Sequence, residues 1–218
     1  METWERLFER AMACLDSIPL AKVPPPRWSF GGGTALRLQI GHRDSHDIDI
    51  FLEGPQWLSV LSPRLNDTVS ALCQDYEEDT QFVKLVMTEG EVDFIAAPLL
   101  TSPGVFPQQI GGRTVSLETP AEIIAKKLFF RGGLLRPRDV LDIAAVWRFD
   151  RAGLLSSVDA WISKAGEIAQ RLTTLRANPV QFDARVAELR LLPPGEAVRA
   201  SALDFFADFL NAAQRARQ

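Results

Sequence analysis

The chain has 218 residues, of which 46% are hydrophobic and 24% are charged, and its formal net charge is −4. This is enough apolar material for a sizeable core, and no apolar run approaches the roughly 20 residues that span a bilayer. The N-terminus is acidic early and lacks the apolar stretch of a secretion signal, so a cytoplasmic protein is expected. Cys14 and Cys73 lie in apolar, helical stretches and are predicted to be buried free thiols.

Charge is unevenly distributed along the chain. Residues 1–118 carry 9 Lys and Arg against 17 Asp and Glu, a net charge of −8, whereas residues 119–218 carry 15 against 11, a net charge of +4. A mildly basic region suits a phosphate-bearing substrate, although an imbalance of this size also arises by chance. We predict a core domain over residues 1–118 and a helical region over residues 119–218. The helical region is expected to pack on the core and to complete the binding site for that substrate.

The first elements are a helix and a strand. Apolar residues at helical spacing predict an amphipathic helix over residues 3–18. The segment 27–30 is predicted to be a short strand that leads into a run of three glycines. Residues 35–40 then predict a short helix that ends at Gly41.

The glycine run is a candidate phosphate site. Glycine permits tight turns and close approach of a ligand, and free N–H groups at a helix N-terminus bind phosphate. The sequence therefore predicts phosphate contacts at Gly32, Gly33 and Thr34.

The next strand carries a pair of carboxylates. Over residues 46–52 apolar and polar residues alternate, so that Asp47 and Asp49 lie on one face, with Cα atoms roughly 6–7 Å apart. Two carboxylates this close repel each other unless a cation or proton lies between them. Because Mg²⁺ prefers carboxylate and phosphate oxygens, the pair is a candidate magnesium site.

The middle of the chain predicts a helix, a loop and a hairpin. We expect a helix over residues 56–73 with an irregularity possible at Ser62-Pro63, a solvated acidic loop over 75–79, and strands over 81–88 and 91–97 joined by a tight turn. In the second strand Asp93 lies between Val92 and Phe94. A charge there is costly to bury without a partner, which a nearby metal ion would supply; the alternative is an exposed edge position.

The second half is predicted to be mostly helical. After a loop over residues 98–112 and a strand over 113–118, Thr119, Pro120 and Glu122 form a strong helix start. Lys127 and Arg131 share a face of this helix. The following elements are a helix that begins near Pro137 and carries Asp139 and Asp142, and helices over residues 154–165, 168–175, 182–191 and 197–213. These elements indicate an α+β protein: a small mixed β-sheet flanked by helices, then a C-terminal helical region.

Two linked motifs resemble a known family. The segment Gly32-Gly33-Thr34-Ala35-Leu36, followed by Arg43-x-Ser45-x-Asp47-Ile48-Asp49-Ile50-Phe51, resembles the AbiEii/AbiGii nucleotidyltransferases of the polymerase-β-like superfamily. These proteins are toxins of bacterial abortive-infection (phage-defence) and toxin–antitoxin systems. The resemblance is most specific over residues 28–52 and weaker over residues 119–147, where a Lys-Leu helix precedes Asp-x-x-Asp-Ile.

The resemblance implies a nucleotidyltransferase fold and a site for an NTP. It implies that two Mg²⁺ ions are held by three carboxylates, and that basic and hydroxyl residues bind the triphosphate while two further acids order the site. The carboxylates are Asp47, Asp49 and Asp93, the phosphate-binding residues are Arg43, Ser45, Lys127 and Arg131 beside the glycine loop, and the ordering acids are Asp139 and Asp142.

The acceptor and the partners are less well defined by the sequence. The family suggests transfer of NMP to an RNA hydroxyl such as a tRNA 3′ end, with a protein or small-molecule hydroxyl as alternatives. The C-terminal helices could bind a cognate antitoxin. A second hypothesis is an inactive module that binds nucleotides or partners. The presence of three mutually repelling carboxylates argues against it, because an inactive module has no need of them.

Overall fold

The computed structural model describes residues 2–19 and 25–216. These residues form two compact units. The first unit comprises residues 2–19, 25–35, 45–99 and 105–118, and the second comprises residues 36–44, 100–104 and 119–216. The predicted division of domains at residue 118 stays a prediction.

The first unit contains a seven-stranded mixed sheet. Its strands are β1 (Trp28–Gly31), β2 (Ile48–Leu52), β3 (Asp75–Glu78), β4 (Phe82–Met87), β5 (Gly90–Ala96), β6 (Val105–Ile110) and β7 (Arg113–Glu118). They lie in the order β3-β4-β5-β2-β1-β7-β6. The pairs β1–β7 and β2–β5 are parallel and the remaining pairs are antiparallel. The predicted α+β class with a mixed sheet is confirmed.

One face of the sheet is covered and the other carries polar residues. Helix α1 (Thr3–Asp16) places Phe8 on Phe30 of β1, with ring centroids 5.3 Å apart. In β2 the residues Ile48, Ile50 and Leu52 are fully buried, whereas Asp49 and Phe51 on the other face are half-buried. The predicted alternation of this strand is therefore confirmed.

Helix α2 (Gly32–Ile40) follows β1 without an intervening loop. Its first residues belong to the first unit and its last to the second. The helix ends at Gly41, as predicted, because Gly41 adopts a φ of 56° that favours glycine. A third helix of the first unit, α3 (Asp67–Leu72), is short.

The second unit is helical. Its helices are α4 (Pro120–Arg131), α5 (Pro137–Phe149), α6 (Arg151–Ser156), α7 (Val158–Trp161), α8 (Ala165–Arg176), α9 (Pro179–Ala187), α10 (Pro193–Arg199) and α11 (Ala202–Arg215). The predicted start of α4 is confirmed, because the Thr119 hydroxyl accepts a hydrogen bond from Glu122 N at 3.1 Å. The core includes Trp147 and Trp161, whose rings both contact Phe209.

The predicted helix over residues 56–73 is wrong. Two single 3₁₀ turns stand in its first half, and only α3 is helical in the second half. Pro63 forces Ser62 into extended backbone (ψ 132°), which ends the first part. Asn66 then starts α3 anew, because its side chain accepts hydrogen bonds from Thr68 N and Val69 N.

Two segments predicted to be loops contain strands. The acidic segment 75–79 forms β3, and the segment 98–112 contains β6. Both strands lie at the edges of the sheet. An edge strand tolerates exposed acids and proline, including Pro107 within β6, because one side of its backbone needs no partner strand.

Two predicted C-terminal helices are interrupted. The predicted helix over 154–165 breaks at Ser157, whose hydroxyl donates to the carbonyl of Leu154 at 2.8 Å and competes with the helical hydrogen bonds. The predicted helix over 197–213 breaks at Ser201, whose backbone (φ −116°, ψ 17°) leaves the helical region.

The two cysteines are free, as predicted, although Cys73 is only half-buried. Burial raises the pKa of the Cys14 thiol to about 12, so this thiol is unreactive at neutral pH. Within residues 2–19 and 25–216, every helix is too short or too polar to span a bilayer.

Candidate active site

Four residues on neighbouring strands form a row across the polar face of the sheet. Gly31 of β1 is opposite Asp49 of β2, Asp49 is opposite Asp93 of β5, and Asp93 is opposite Lys84 of β4. We call these four residues the carboxylate row. Since neighbouring strands lie about 4.8 Å apart, the two carboxylates are direct neighbours.

The turn from β1 into α2 lies against the Asp49 carboxylate. Gly32 has a φ of 70°, which a side chain rarely adopts. A Cβ atom at Gly32 would lie 1.8 Å from Asp49 Oδ2. Glycine is therefore required twice at this position, by the backbone conformation and by the approach of the carboxylate.

Lys84 is the positive partner of the carboxylate row. Its Nζ lies 3.2 Å from Asp93 Oδ1 and 2.7 Å from Glu91 Oε2. Burial alone would lower the pKa of Lys84, but the hydrogen bonds and charges of Glu91 and Asp93 outweigh it and raise that pKa.

The Asp93 carboxyl binds its proton more tightly than an exposed aspartate does. Burial, the largest effect, raises its pKa, and the charges of Glu91 and Asp47 add to the rise. Lys84 opposes the rise without cancelling it, because one ammonium shared between two carboxylates does not repay the burial of Asp93.

The third predicted carboxylate, Asp47, lies at the exposed margin of this site. Its Oδ1 accepts a hydrogen bond of 3.2 Å from Glu91 N. In the part of the chain that the structure describes, no three His, Cys, Asp or Glu side chains are gathered closely enough to hold a metal ion. Asp49 and Asp93 still fit Mg²⁺, because that ion commonly uses one or two protein carboxylates and completes its shell with water and substrate phosphate.

The other predicted phosphate-binding residues of the first unit lie at the start of α2 and before β2. Gly33 and Thr34 are in the first turn of α2. Thr34 is fully buried, and its Oγ1 has no hydrogen-bond partner among the described residues. Ser45 is half-buried. The roles of these residues in binding phosphate stay predictions.

A buried glutamate lies on the other side of the glycine turn. Glu118, at the end of β7, is fully buried and accepts a hydrogen bond of 2.6 Å from the Ser29 hydroxyl. A Cβ atom at Gly31 would lie 2.2 Å from Glu118 Oε2. The turn is thus held between the carboxylates of Glu118 and Asp49.

The second unit contains its own group of charged residues. Arg43 binds Asp142 through two hydrogen bonds, Nε to Oδ1 at 2.7 Å and Nη2 to Oδ2 at 3.0 Å. Lys127 Nζ lies 2.7 Å from Asp139 Oδ1 and 3.0 Å from Asp142 Oδ2. We call these four residues the paired-charge cluster. It brings together the predicted Arg43, Lys127, Asp139 and Asp142.

The acids of the paired-charge cluster are held ionised. Burial opposes ionisation of Asp142, but Arg43, Lys127 and a hydrogen bond from His42 outweigh burial and keep its pKa well below the ordinary value. Burial likewise opposes ionisation of Asp139, and the charge of Lys127 outweighs it and lowers the pKa. Both acids are fully buried, whereas the Lys127 side chain is 11% exposed.

Arg131 and His42 extend the paired-charge cluster. Arg131 Nη1 lies 3.8 Å from Asp139 Oδ1 and its side chain is 46% exposed, so its guanidinium also reaches solvent. His42 is fully buried, with Nε2 2.7 Å from Asp142 Oδ1. The backbone beside it is fixed, because Leu192 N donates to His42 O at 3.0 Å.

Sequence reasoning missed three polar residues of these sites. The sequence did contain a signal for Lys84, which is the lone cation of the predicted strand 81–88, next to the acidic predicted strand 91–97. Glu118 gave no signal, because it ends its strand as an ordinary surface residue would. His42 gave no signal either, since the sequence does not show that it meets Asp142.

A family model matches most of the chain. The model described as the nucleotidyl transferase AbiEii toxin, type IV toxin–antitoxin system, matches residues 21–216. No curated relative matches the chain.

Solved nucleotidyltransferase structures resemble this chain. The nucleotidyltransferase toxin MenT4 from Mycobacterium tuberculosis is 18% identical, with a TM-score of 0.53 over 98% of this chain and 87% of that chain. The antibiotic-resistance factor ANT(2'')-Ia is 15% identical, with a TM-score of 0.44 over 85% of this chain and 98% of that chain. The likeness to the first supports the same fold.

The paired-charge cluster predicts a strong stability effect. Asp142→Asn leaves Arg43 and Lys127 short of one buried negative charge, so we expect the free energy of unfolding to fall by about 3 kcal/mol. Urea unfolding measures this. The control is Asp204→Asn, which breaks a pair with Arg176 whose acid is 77% exposed and should change stability by less than about 1 kcal/mol. Equal effects of the two variants would contradict the account.

The same cluster predicts a pH dependence. Because the folded pKa values of Asp139 and Asp142 are lowered, the unfolded chain takes up protons first as the pH falls below the ordinary aspartate pKa of about 4. Stability is therefore fully present above about pH 5 and is lost progressively below about pH 4. Urea midpoints measured across this range should fall less steeply in Asp142→Asn than in the wild type.

Proposed function

The chain belongs to the AbiEii nucleotidyltransferase toxin family of type IV toxin–antitoxin systems, and on this premise we propose that it transfers NMP from an NTP to an RNA hydroxyl with the help of Mg²⁺. The observation that carries the proposal is the carboxylate row. It places Asp49 beside Asp93 and presses Asp49 against the glycine turn at the start of α2. The groups proposed to bind metal and those proposed to bind phosphate thus lie on adjoining elements of one unit.

The first unit contains the proposed binding site for the triphosphate. Asp49 and Asp93, with Asp47 at the margin, would hold Mg²⁺, which when bound neutralises the triphosphate and favours deprotonation of the acceptor hydroxyl. The N–H groups of Gly33 and Thr34 at the N-terminus of α2 suit a phosphate oxygen. Close packing of Gly32 on Asp49 keeps that helix end beside the carboxylates.

The reaction needs a proton acceptor and a stabilised leaving group. The acceptor oxygen bonds to the α-phosphorus, the bond from that phosphorus to pyrophosphate breaks, and the hydroxyl proton passes to a base. We assign the base to Asp93, because its carboxylate lies directly beside Asp49 in the carboxylate row, where the acceptor hydroxyl would meet the metal-bound phosphate. Lys84 holds the Asp93 carboxylate in place.

The second unit supplies candidate phosphate ligands of its own. Arg131 is partly exposed beside a Lys127 that two buried acids hold in place. We propose that Lys127 and Arg131 bind the β- and γ-phosphates, and that Arg43, fixed by Asp142, orders this group. Asp139 and Asp142 then act through the basic residues they position.

The acceptor is proposed to be RNA, with a tRNA 3′ end as the first candidate. Residues 119–218 carry a net charge of +4. Such charges favour a polyanion. The family implies a cognate antitoxin as a partner, and we propose that the C-terminal helices bind it.

The first test is transfer itself. Purified protein with Mg²⁺, each labelled NTP in turn and total bacterial tRNA should label the tRNA. Asp49→Asn should lose at least about 100-fold, because removing a metal ligand costs no less than removing its supporting groups. The matched control is Asp79→Asn in an exposed turn, which should retain activity.

Other outcomes of this assay select between acceptors. Label on the protein itself would indicate a protein hydroxyl, and absence of both label and NTP binding would leave an inactive module. Added salt should weaken transfer to tRNA steeply, because counterions compete for the phosphates; transfer that is indifferent to salt would exclude RNA as the acceptor.

Gly32→Ala tests the glycine turn. Any side chain at a positive φ costs about 1–3 kcal/mol, but only at Gly32 would the new Cβ displace Asp49. We expect transfer to fall about 100-fold, as a shift of 1 Å in a reacting group allows. The control is Gly112→Ala: Gly112 has a φ of 76°, and an added Cβ atom there would have no neighbour within 4 Å. This variant should lose as much melting temperature as Gly32→Ala but keep its activity. Equal activity of the two variants would overturn the assignment.

Thr34→Val tests the buried hydroxyl. In the absence of ligand the change removes an unsatisfied polar atom, so thermal stability should stay level or rise by about 1 kcal/mol. If Thr34 Oγ1 bonds a phosphate oxygen in the complex, the affinity for NTP measured by calorimetry should fall about tenfold. A loss of stability with unchanged NTP affinity would give Thr34 a packing role only.

A further inference from the structure

The segment 42–44, which follows α2, pairs with the linker between α9 and α10. We call residues 188–192 the α9–α10 linker; both stretches belong to the second unit. Arg43 lies opposite Leu191 in an antiparallel bridge. Two backbone hydrogen bonds flank this pair, and they are Asp44 N to Arg190 O at 2.8 Å and Leu192 N to His42 O at 3.0 Å. The linker therefore fixes the backbone of residues 42–44.

The first turn of α10 packs directly on the same segment. Gly195 is buried, and a Cβ atom there would lie 2.0 Å from the backbone oxygen of His42. Because the obstacle is a backbone atom, no change of side-chain rotamer would make room for that Cβ atom. The close approach of α10 to His42 thus requires glycine at this position.

The side chains of the fixed segment lead to the paired-charge cluster. Arg43 binds Asp142 through two hydrogen bonds, and His42 Nε2 lies 2.7 Å from Asp142 Oδ1. Asp142 Oδ2 in turn lies 3.0 Å from Lys127 Nζ. A buried carboxylate that loses a cationic partner is left with an uncompensated charge, so it would draw its remaining cation closer or admit water. Displacement of residues 42–44 is therefore expected to move the ammonium group of Lys127.

An ion pair accompanies the backbone contacts but is the weaker attachment. Asp44 Oδ2 lies 3.3 Å from Arg190 Nη1 on the linker, and Asp44 Oδ1 lies 3.2 Å from Arg37 Nε on α2. The Arg190 side chain is 81% exposed, and ion pairs of exposed side chains contribute little. The attachment of segment 42–44 to the linker therefore depends mainly on the backbone hydrogen bonds and on Gly195.

The α9–α10 linker is anchored at both ends on the helix that contains Asp142. Both α9 and α10 pack on α5. Val186 near the end of α9 and Val198 in α10 are buried. The segment that holds Arg43 is thus fixed relative to the same helix as the acid that Arg43 binds.

We propose that the α9–α10 linker and Gly195 are positioning elements for Lys127, and that they set the direction of its ammonium group toward the triphosphate. The inference rests on the proposed function, in which Lys127 binds the β- and γ-phosphates. The linker and Gly195 touch no nucleotide themselves. They act through residues 42–44 and Asp142, and they give residues 188–195 a part in nucleotide binding.

Gly195→Ala tests the proposal through the reactivity of Lys127. The added Cβ would displace the His42 carbonyl, so the contacts of Arg43 with Asp142 should loosen and Lys127 should gain access to solvent. Reductive methylation, located by mass spectrometry, should modify Lys127 at least about fivefold faster than in the wild type, because labelling of a protected group follows local opening.

Lys126 is the internal control for general loosening of the fold. It precedes Lys127 on α4, its side chain is 4% exposed, and its Nζ lies 3.5 Å from Glu122 Oε1. Its methylation should stay at the wild-type rate in Gly195→Ala. The matched variant is Gly166→Ala in α8, where an added Cβ would have no neighbour within 4 Å; it should leave both lysines at wild-type rates.

Nucleotide binding is measured separately by calorimetry with each NTP in turn. Gly195→Ala should bind NTP at least about tenfold more weakly than the wild type, as expected for loss of a hydrogen bond from a charged group. Leu192→Pro removes the donor to His42 O without adding an atom against that oxygen. It should change both readouts in the same direction, which keeps the test valid if Gly195→Ala folds poorly.

The inference and the proposed function fail separately. Unchanged methylation of Lys127 in both variants, or an equal rise at Lys126 and Lys127, would overturn the positioning role even where the wild type binds NTP and labels tRNA. A selective rise at Lys127 with unchanged NTP affinity would overturn it as well. A selective rise at Lys127 in a protein whose wild type binds no NTP would overturn the proposed function and leave the positioning of Lys127 standing.

Discussion

The main electrostatic constraint of the first unit is the repulsion between the carboxylates of Asp49 and Asp93, which the sheet holds side by side. Hydrogen bonding between β2 and β5 fixes Asp49 opposite Asp93, and the buried residues on the other face of β2 prevent the register from slipping, because a shift by one residue would expose them. Lys84 is the cation that pairs with Asp93, and it is shared with Glu91. The sheet thus fixes the two carboxylates side by side, which is the arrangement on which the proposed binding of a metal–nucleotide complex depends.

In the second unit, by contrast, the buried charges are paired with one another. Asp139 and Asp142 are fully enclosed, yet Arg43 and Lys127 satisfy them with short hydrogen bonds. Such a compensated group contributes little net stability over an apolar core, but removing one member is costly. Its value is geometric, since it fixes the direction of Lys127 and Arg43. The second unit therefore uses its buried charges to hold side chains in place.

The parts of the site that local pattern determines were predictable, and the parts that register determines were not. Period-two alternation placed Asp47 and Asp49 on one face, and the glycine run marked the turn before α2, because these features depend on a few adjacent residues. The pairing of Lys84 with Asp93 was not predicted, because it depends on the exact register of the predicted hairpin, in which Met87 is opposite Gly90. Likewise Glu118 meets Gly31 only because β7 returns beside β1 after a long excursion.

The helix predicted over residues 56–73 failed because Pro63 and Asn66 outweigh apolar spacing. The edge strands β3 and β6 were missed because acids and Pro107 suggest loops, and both are acceptable where one side of a strand faces water.

Those two edge strands limit how the first unit can associate with other proteins. At one end of the sheet β3 presents Asp75, Glu77 and Glu78, and at the other β6 contains a proline that donates no backbone hydrogen bond. A further strand would meet accumulated negative charge at the first edge and an interrupted ladder at the second. The sheet is thereby protected against pairing with copies of itself, which lowers the tendency to aggregate at high expression. A protein that recognises this unit is expected to read side chains on its faces rather than extend its backbone ladder.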